Sequence, residues 1–518
     1  MKLRKTFAAL MLSFAFALGF VDFCFALTRA EFLSGLLEAR GINWTESQEY
    51  HEKRGGAIFL LRTGIVTDNV SNLNGQVTRR EALRWIIESL GLKFEAELLG
   101  DYPSGFSDIG NLSDYERGCL VVASKMQPNI LDASSGSKKQ AKFNGNSALS
   151  KSDMQKFLER VRNISRRNFT LDVIRNPLDG MRVLIHREGV FSGIPSWRFY
   201  IDGFANKSQA ENLRKLLKDL AVETTSHQTH GKYFLRTPKI EDYNIIRRLS
   251  SFIKSRKLSY RILPSVSNPN TAILPKFYVM LYLDPSYWRI SPLVSKAGAR
   301  TLDYLSSMTK FHGAKAGINA GFFAITKPER GFPIGALKVN GKILNTPYEG
   351  RGALGWNDDD EAIFAISASN PYIYNDSGEL IASVNPEFVS DANNWFDMTN
   401  IIQAGPLLLD GGAVVGNSEG FDSALLSARH PRSAIGLSNE GQWIFLLVDG
   451  RNGMHASGAT ISELTEIFRS HDIPHALNLD GGGSSEIIIN GRIYNAISEG
   501  RERMISYAIG AFALNAKK

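Results

Sequence analysis

A chain of 518 residues, 43% hydrophobic and 22% charged, is long enough for two to four ordinary globular domains and excludes a low-complexity or disordered majority. Two cysteines exclude a disulfide scaffold. Charge is uneven: residues 27–270 carry 37 Lys and Arg against 26 Asp and Glu, whereas residues 271–518 carry 20 against 25. A basic front half suits anionic envelope polymers or lipid headgroups, and equally a generic solvated surface.

Residues 1–26 read as an export signal. Lys2, Arg4 and Lys5 precede an apolar stretch over 6–20, and Cys24-Phe25-Ala26 supplies a small-x-small cleavage site. Against an uncleaved anchor, Asp22 interrupts the apolar stretch; against a lipid-anchored Cys24, Asp22 and Phe23 replace the small residues a lipobox wants. No later stretch is long and apolar enough to span a membrane. The mature chain is therefore expected in the periplasm or cell envelope, without a transmembrane helix and without nucleic acid as partner. Its remaining thiol, Cys119, lies in the apolar run Cys119-Leu120-Val121-Val122-Ala123 and is expected to be buried.

Residues 27–165 contain a divergent helical repeat. Thr28-Arg29-Ala30-Glu31, Thr78-Arg79-Arg80-Glu81 and Ser150-Lys151-Ser152-Asp153 each place a hydroxyl N-cap three residues before an acid. Apolar residues follow at helical spacing: Phe32, Leu36 and Leu37; Leu83, Ile86, Ile87 and Leu90; Met154, Phe157, Leu158 and Val161. Ser134 to Lys139 reads as a loop. With Phe106-Ser107-Asp108 between them, these starts resemble the S-layer-homology family, whose motif arginine is matched by Arg29 and Arg79. The resemblance implies a helical module that binds cell-wall polysaccharide; ordinary capped helices that merely pack together are the plainer reading.

Residues 166–270 contain a small α+β unit. A strand over 197–204, a helix over 208–220, short strands over 222–226 and 232–236, a helix over 241–255 and a strand over 259–263 give the order βαββαβ. Size and order resemble the SPOR family of peptidoglycan-binding modules. A structural spacer is the alternative. His227 and His230 flank the hairpin as exposed turn residues rather than metal ligands.

Residues 271–518 turn to short strands and many glycines. Leu477-Asn478-Leu479-Asp480-Gly481-Gly482-Gly483-Ser484-Ser485 is a strand ending in an acid, three glycines and two serines. A carboxylate there faces whatever sits above the sheet, and glycines allow close backbone approach. A second strand, Phe445-Leu446-Leu447-Val448, ends at Asp449-Gly450-Arg451. Other stretches are Asn319-Ala320-Gly321-Phe322-Phe323, Gln403-Ala404-Gly405-Pro406, and Arg429-His430-Pro431-Arg432-Ser433-Ala434-Ile435-Gly436. Thr460 and Glu463 cap a helix to about Ser470, and Glu499-Gly500-Arg501-Glu502-Arg503 closes the series.

In this order, over roughly 275–515, the stretches resemble the phosphodiester glycosidase family. Ala320 and Ser433 depart from its usual Gly and Thr while keeping size and polarity. The resemblance implies hydrolysis at a sugar C1 bonded to phosphate, on an N-acetylglucosamine-1-phosphate type of diester. Asp480 and Asp449 are then the candidate catalytic carboxylates. Arg432, Arg503 and the Gly481, Gly482 and Gly483 backbone would hold the phosphate. Asn319, Phe322, Gln403, Gly405, Ser433 and Ser484 complete the expected substrate-binding set. No cofactor is required; a divalent cation between Asp480 and Asp449 is compatible with the pair, although no ligand spacing calls for one.

The expected architecture is multidomain: a helical repeat module, a small βαββαβ module, and a larger α+β catalytic domain with a mixed sheet. The expected function is an exported hydrolase acting on envelope or exopolysaccharide glycosyl-1-phosphodiesters. Its rivals are a non-catalytic envelope glycan-binding protein and a peptidoglycan glycosidase, the latter needing no phosphate-gripping arginines.

Overall fold

The computed structural model describes residues 27–132, 141–229, 232–267, 274–359, 361–366, 373–374, 380–381, 395 and 397–514. The signal segment, Ser134–Lys139 and His230 lie outside the described residues. It is an α+β, multi-sheet fold. Among the described residues no helix is long and apolar enough to cross a membrane.

The front of the chain is helical. Helices Arg29–Arg40 and Arg79–Ser89 begin with complete capping boxes at Thr28/Glu31 and Thr78/Glu81. Ser150 caps Lys151–Arg167 by accepting from the Asp153 N–H. A further box, Ser113/Glu116, starts Asp114–Lys125 and was not among the expected repeats. The apolar positions meet in one core, with Phe32, Leu36, Leu37, Ile86, Ile87 and Val161 fully buried. The motif arginines face the next repeat. Arg29 pairs with Glu81 at 2.9 Å, and Arg79 pairs with Asp153 at 2.5 Å. Asp108 accepts from the Phe143 and Asn144 N–H groups at 2.7 Å each, tying the Phe-Ser-Asp segment to the turn before the third helix. Cys119 is a buried free thiol, its pKa raised by burial.

The middle unit has the order βαββαβ: Ile194–Phe204, Lys207–Asp219, Thr225–Thr229, Lys232–Arg236, Tyr243–Ser255 and Ser259–Ser267. Its first strand is central, between Lys232–Arg236 and Ser259–Ser267. Trp197, Phe199 and Ile201 on one face bury against Ile246, Leu249 and Leu217 of the two helices.

An eight-stranded sheet forms the largest layer. Its order is Thr170–Arg175, Met181–Glu188, Lys276–Leu283, Trp443–Val448, Arg432–Leu437, His475–Asn478, Leu407–Asp410 and Ala413–Val414. Two of these strands thus come from chain ahead of the middle unit, Met181–Glu188 pairing along its whole length with Lys276–Leu283. A five-stranded sheet contains Asn400–Gln403 at its centre, and another contains Ala316–Asn319 between Ile487–Ile489 and Tyr507–Ala513.

The expected mixed sheet is not what forms. Every strand pairing in these sheets is antiparallel. The capped helix Ile461–Ser470 does connect two strands running the same way, Trp443–Val448 and His475–Asn478. Arg432–Leu437 lies between them and is antiparallel to both, so the crossover does not yield a parallel pair.

Candidate active site

The site lies at a seam between two sheets. Ala316–Asn319 and His475–Asn478 belong to different sheets, and their ends are joined by side chains. Asn319 is buried. Its Nδ2 donates to the Asp480 carbonyl at 2.6 Å, and its Oδ1 accepts from Ser433 Oγ at 2.6 Å and the Glu486 N–H at 3.2 Å. The Asp480 N–H in turn donates to the Ala320 carbonyl at 2.8 Å. Asn319 and Ser433 therefore brace the strand end that presents Asp480. Gly321 is required by close approach, since a Cβ there would overlap Tyr507 Oη and the Gln403 carbonyl.

Asp480 is half-buried. Burial pushes its carboxyl up to about 6, while the Ser484 hydroxyl, Arg503, the Gly481 N–H and Arg451 pull the other way. The glycines that follow make room for cations. A Cβ on Gly482 would stand 3.0 Å from an Arg451 terminal nitrogen, and one on Gly483 would overlap the Arg503 guanidinium and Glu499 Oε1. Gly482 also has φ +65°, which disfavours a side chain. Arg503 forms an ion pair with Glu499. Arg503, Glu499 and Asp480 are all within electrostatic reach of Arg451, and Asp480 is within reach of Arg503 as well. The Gly482 N–H is already engaged with the Pro431 carbonyl at 2.9 Å, and the Ser484 and Ser485 N–H groups close a 3-10 turn on Gly481 and Gly482. In this protein the glycine run chiefly admits the two guanidiniums.

His430 also borders the site. Its Nδ1 is 3.4 Å from an Arg451 terminal nitrogen. Partial burial, with Arg432 and Arg451 nearby, lowers its pKa, so the neutral ring accepts from Arg451. Glu486 is buried with Glu502 beside it; burial and that second carboxyl push it up to about 9. The Ser485 hydroxyl and Glu486 Oε1 are buried without a protein hydrogen-bond partner among the described residues.

Other expected residues sit in the walls. Arg432 Nε donates to the Ala459 carbonyl at 2.9 Å, and one terminal nitrogen donates to Leu425 and Ala428 carbonyls at 2.5 and 3.0 Å. It clamps the short helix Ser423–Ser427 and the Ala459 turn, and burial lowers its pKa to about 10. Gln403 Oε1 accepts from Ala336 and Tyr348 N–H groups at 2.9 and 2.6 Å, and its Nε2 donates to Tyr348 at 2.6 Å. Gly405 has φ +117°, and a Cβ there would overlap the Glu419 carboxylate. Glu419 accepts from the Gly352 and Leu407 N–H groups at 2.6 and 2.5 Å. Phe322 is half-buried, its ring 5.3 Å from Phe421, over which the Arg351 guanidinium lies at 3.6 Å.

Asp449 is separated from solvent. Its Oδ2 accepts from His455 Nε2 and from the Ala496 N–H, each at 2.8 Å. His455 Nδ1 lies 3.1 Å from Glu95 of the helical module, and Glu95 pairs with Arg187 at 2.8 Å. Burial raises the Asp449 carboxyl despite these partners. Burial would lower His455, but Glu95 and Asp449 hold it up to about 9. Sequence reading passed over Glu95 and His455 because nothing local marks them. Arg451 and Glu499 were visible only as parts of longer motifs; the φ of +61° at Arg451 marks a turn that swings its side chain back over Gly482. Among the described residues no group of three or more His, Cys, Asp or Glu is arranged to hold a metal ion.

Residues 312–512 match the family model described as phosphodiester glycosidase. A stretch of 80 residues is 40% identical to an uncharacterized SPbeta prophage-derived protein of Bacillus subtilis, covering 15% of this chain and 12% of that protein. A stretch of 74 residues is 35% identical to the N-acetylglucosamine-1-phosphodiester alpha-N-acetylglucosaminidase of Mus musculus, covering 14% of each. The chain thus aligns with only 12–14% of the length of these curated relatives. The catalytic domain of the zebrafish N-acetylglucosamine-1-phosphodiester alpha-N-acetylglucosaminidase, auto-inhibited by its pro-peptide, is similar at 17% identity, with a TM-score of 0.36 over 46% of this chain and 77% of that one. Every site residue expected from sequence, from Asn319 to Arg503, lies within the C-terminal segment that matches the phosphodiester glycosidase family.

Proposed function

We propose that the protein is an exported hydrolase that cleaves the glycosidic bond of a sugar-1-phosphodiester, of the N-acetylglucosamine-1-phosphate type, in envelope or exopolysaccharide material. One observation carries the reading: a carboxylate at a strand end, Asp480, stands with two arginines that lie directly on Gly482 and Gly483. Two guanidiniums suit a phosphodiester anion, being planar, bidentate and always charged. A carboxylate beside them suits a C1 that gains oxocarbenium character.

In the reaction the C1–O bond breaks and its electron pair leaves on the phosphate oxygen. A water oxygen bonds to C1, and the water's proton is released or taken by the departing phosphate. Arg451 and Arg503 hold the phosphate and offset charge as the bond breaks. Asp480, ionised above about pH 6, stabilises C1. Glu499 orients Arg503 through their ion pair. Asp449, the second candidate carboxylate, acts in this reading through the loop it holds, and Arg432 through the wall it builds. The N-terminal units are proposed to hold cell-wall polysaccharide or peptidoglycan, a reading supported by the basic surplus over residues 27–270.

The test is release of free sugar from an N-acetylglucosamine-1-phosphodiester, or from UDP-N-acetylglucosamine, by the full chain. Asp480→Asn and Arg503→Ala should each lose release while remaining folded. Tight retention of an anionic glycan with no release from any diester would replace the hydrolase by a binding protein.

A further inference from the structure

Four charged side chains form a buried row that crosses between the helical module and the C-terminal domain. Arg187 and Glu95 have no solvent exposure, and His455 and Asp449 are buried. In order, Arg187 Nε lies 2.8 Å from Glu95, Glu95 lies 3.1 Å from His455 Nδ1, and His455 Nε2 lies 2.8 Å from Asp449. Signs alternate along the row. Packing at this junction is close. A Cβ on Gly91 would overlap the Met454 carbonyl, and the Phe94 ring lies 5.0 Å from His455 and 5.4 Å from Phe277.

The row ends on the site. Asp449 accepts from the Ala496 N–H, and Asn495 beside it bridges the Ile487 N–H at 3.0 Å and the Ser485 carbonyl at 3.2 Å. Residues 495–503 then carry Glu499 and Arg503 to Gly483. On the other side of Asp449, two residues on, stands Arg451.

We propose that Glu95, on the helical N-terminal module, is a positioning residue for the C-terminal site: through His455 and Asp449 it holds the 495–503 loop and Arg503 in place. The helical module is then a structural part of the site, beyond any role in binding a wall polymer. The groups facing His455 are Glu95 from the short helix Lys93–Leu98 and Asp449 from the strand end, with the Phe94 and Phe277 rings packed against it at 5.0 and 4.8 Å. Arg187 stands behind Glu95, and Glu97 on the same helix is exposed and offset by Lys93.

The test compares wild-type full chain with Glu95→Gln and Glu95→Asp by hydrogen–deuterium exchange of residues 494–503 and by the pH profile of kcat. Glu95→Gln removes one of the two anions that keep His455 protonated, so the alkaline limb of kcat is expected to move down by about one pH unit or more. Exchange over 496–503 should quicken at least tenfold while the helix Lys151–Arg167 stays unchanged, and Glu95→Asp should restore part of both. A folded Glu95→Gln with unchanged loop exchange and an unchanged limb overturns the proposal. If Glu95→Gln does not fold, wild-type exchange from pH 7 to 10, corrected for intrinsic rates, decides instead. Loosening confined to 496–503 near pH 9 supports the role, and none refutes it. The exchange arm stands apart from the hydrolase reading: a wild type inactive on every diester defeats that reading alone.

Discussion

Asn319 donates its side-chain amide to the Asp480 carbonyl at 2.6 Å, a contact between the ends of two strands from different sheets. Its Oδ1 simultaneously takes the Ser433 hydroxyl and the Glu486 N–H. Replacing Asn319 by Ala leaves these buried donors and the Asp480 carbonyl unpaired. The expected cost is about 2–4 kcal/mol of stability. Because Asp480 shifts with its strand end, kcat should fall further than the stability loss explains. Thermal unfolding and initial rates on the same preparation check both, and an Asn319→Ala enzyme with native kcat would remove the bracing role.

The Asp480 carboxyl sets an acid limb. Its pKa of about 6 lies above the ordinary aspartate value, so the folded protein binds its proton more tightly than the unfolded chain does. The ionised group therefore costs stability, a cost that develops as pH rises from about 4 to 6 and is complete above it. Two outcomes follow. The rate should fall as pH drops through about 6. Asp480→Asn should be inactive yet more stable than wild type at pH 7.5, by about 1–2 kcal/mol after allowance for the group's partial exposure. A less stable Asp480→Asn would show that its hydrogen bonds outweigh its desolvation.

Gly483 and Arg503 compete for one volume. The φ of Gly483 is not in the left-handed region, so Ala is tolerated by the backbone; the overlap is with the ends of two flexible side chains, Arg503 and Glu499. Gly483→Ala should therefore fold with less than about 1 kcal/mol lost. KM for the diester should rise tenfold or more as the guanidinium is displaced. Gly482→Ala, at φ +65°, should cost about 1–2 kcal/mol in addition to crowding Arg451. Equal KM values for wild type and Gly483→Ala would deny Arg503 an anion-holding role.

The three arginines should separate by phenotype. Arg432→Ala strips the Leu425, Ala428 and Ala459 carbonyls of a buried donor and should destabilise by about 2–4 kcal/mol. Arg432→Lys should recover little, because one ammonium cannot reproduce the planar fork. Arg451→Ala and Arg503→Ala should keep the native Tm within a few degrees and lose affinity for the diester. Isothermal titration with a non-hydrolysable diester, beside thermal unfolding, distinguishes the classes.

A fragment of residues 271–518 should not behave as an independent domain. It lacks Met181–Glu188, which pairs with Lys276–Leu283 over eight residues, and its absence exposes a long apolar sheet edge. Aggregation on expression is the expected result, against a monodisperse full chain; a soluble, cooperatively unfolding fragment would contradict it.

What the sequence determined by itself was local. The helix starts at Thr28, Thr78 and Thr460 were legible because a capping box needs only four consecutive residues. The βαββαβ order and the strand ending at Asp480 followed from periodicity within a few residues of each element. The tertiary structure decided what those positions face. Asp480 and Asp449 look alike in sequence, each an acid at the end of an apolar strand before glycine. One meets Arg451 and Arg503 at a half-open seam, and the other is enclosed by His455 and the Ala496 N–H. Arg432 and Arg503 likewise differ only in what surrounds them: backbone carbonyls for one, a glycine and an acid for the other. Burial and partner choice arise from the packing of sheets against one another, and Glu95 reaches His455 from across most of the chain, so no window of sequence contains the information.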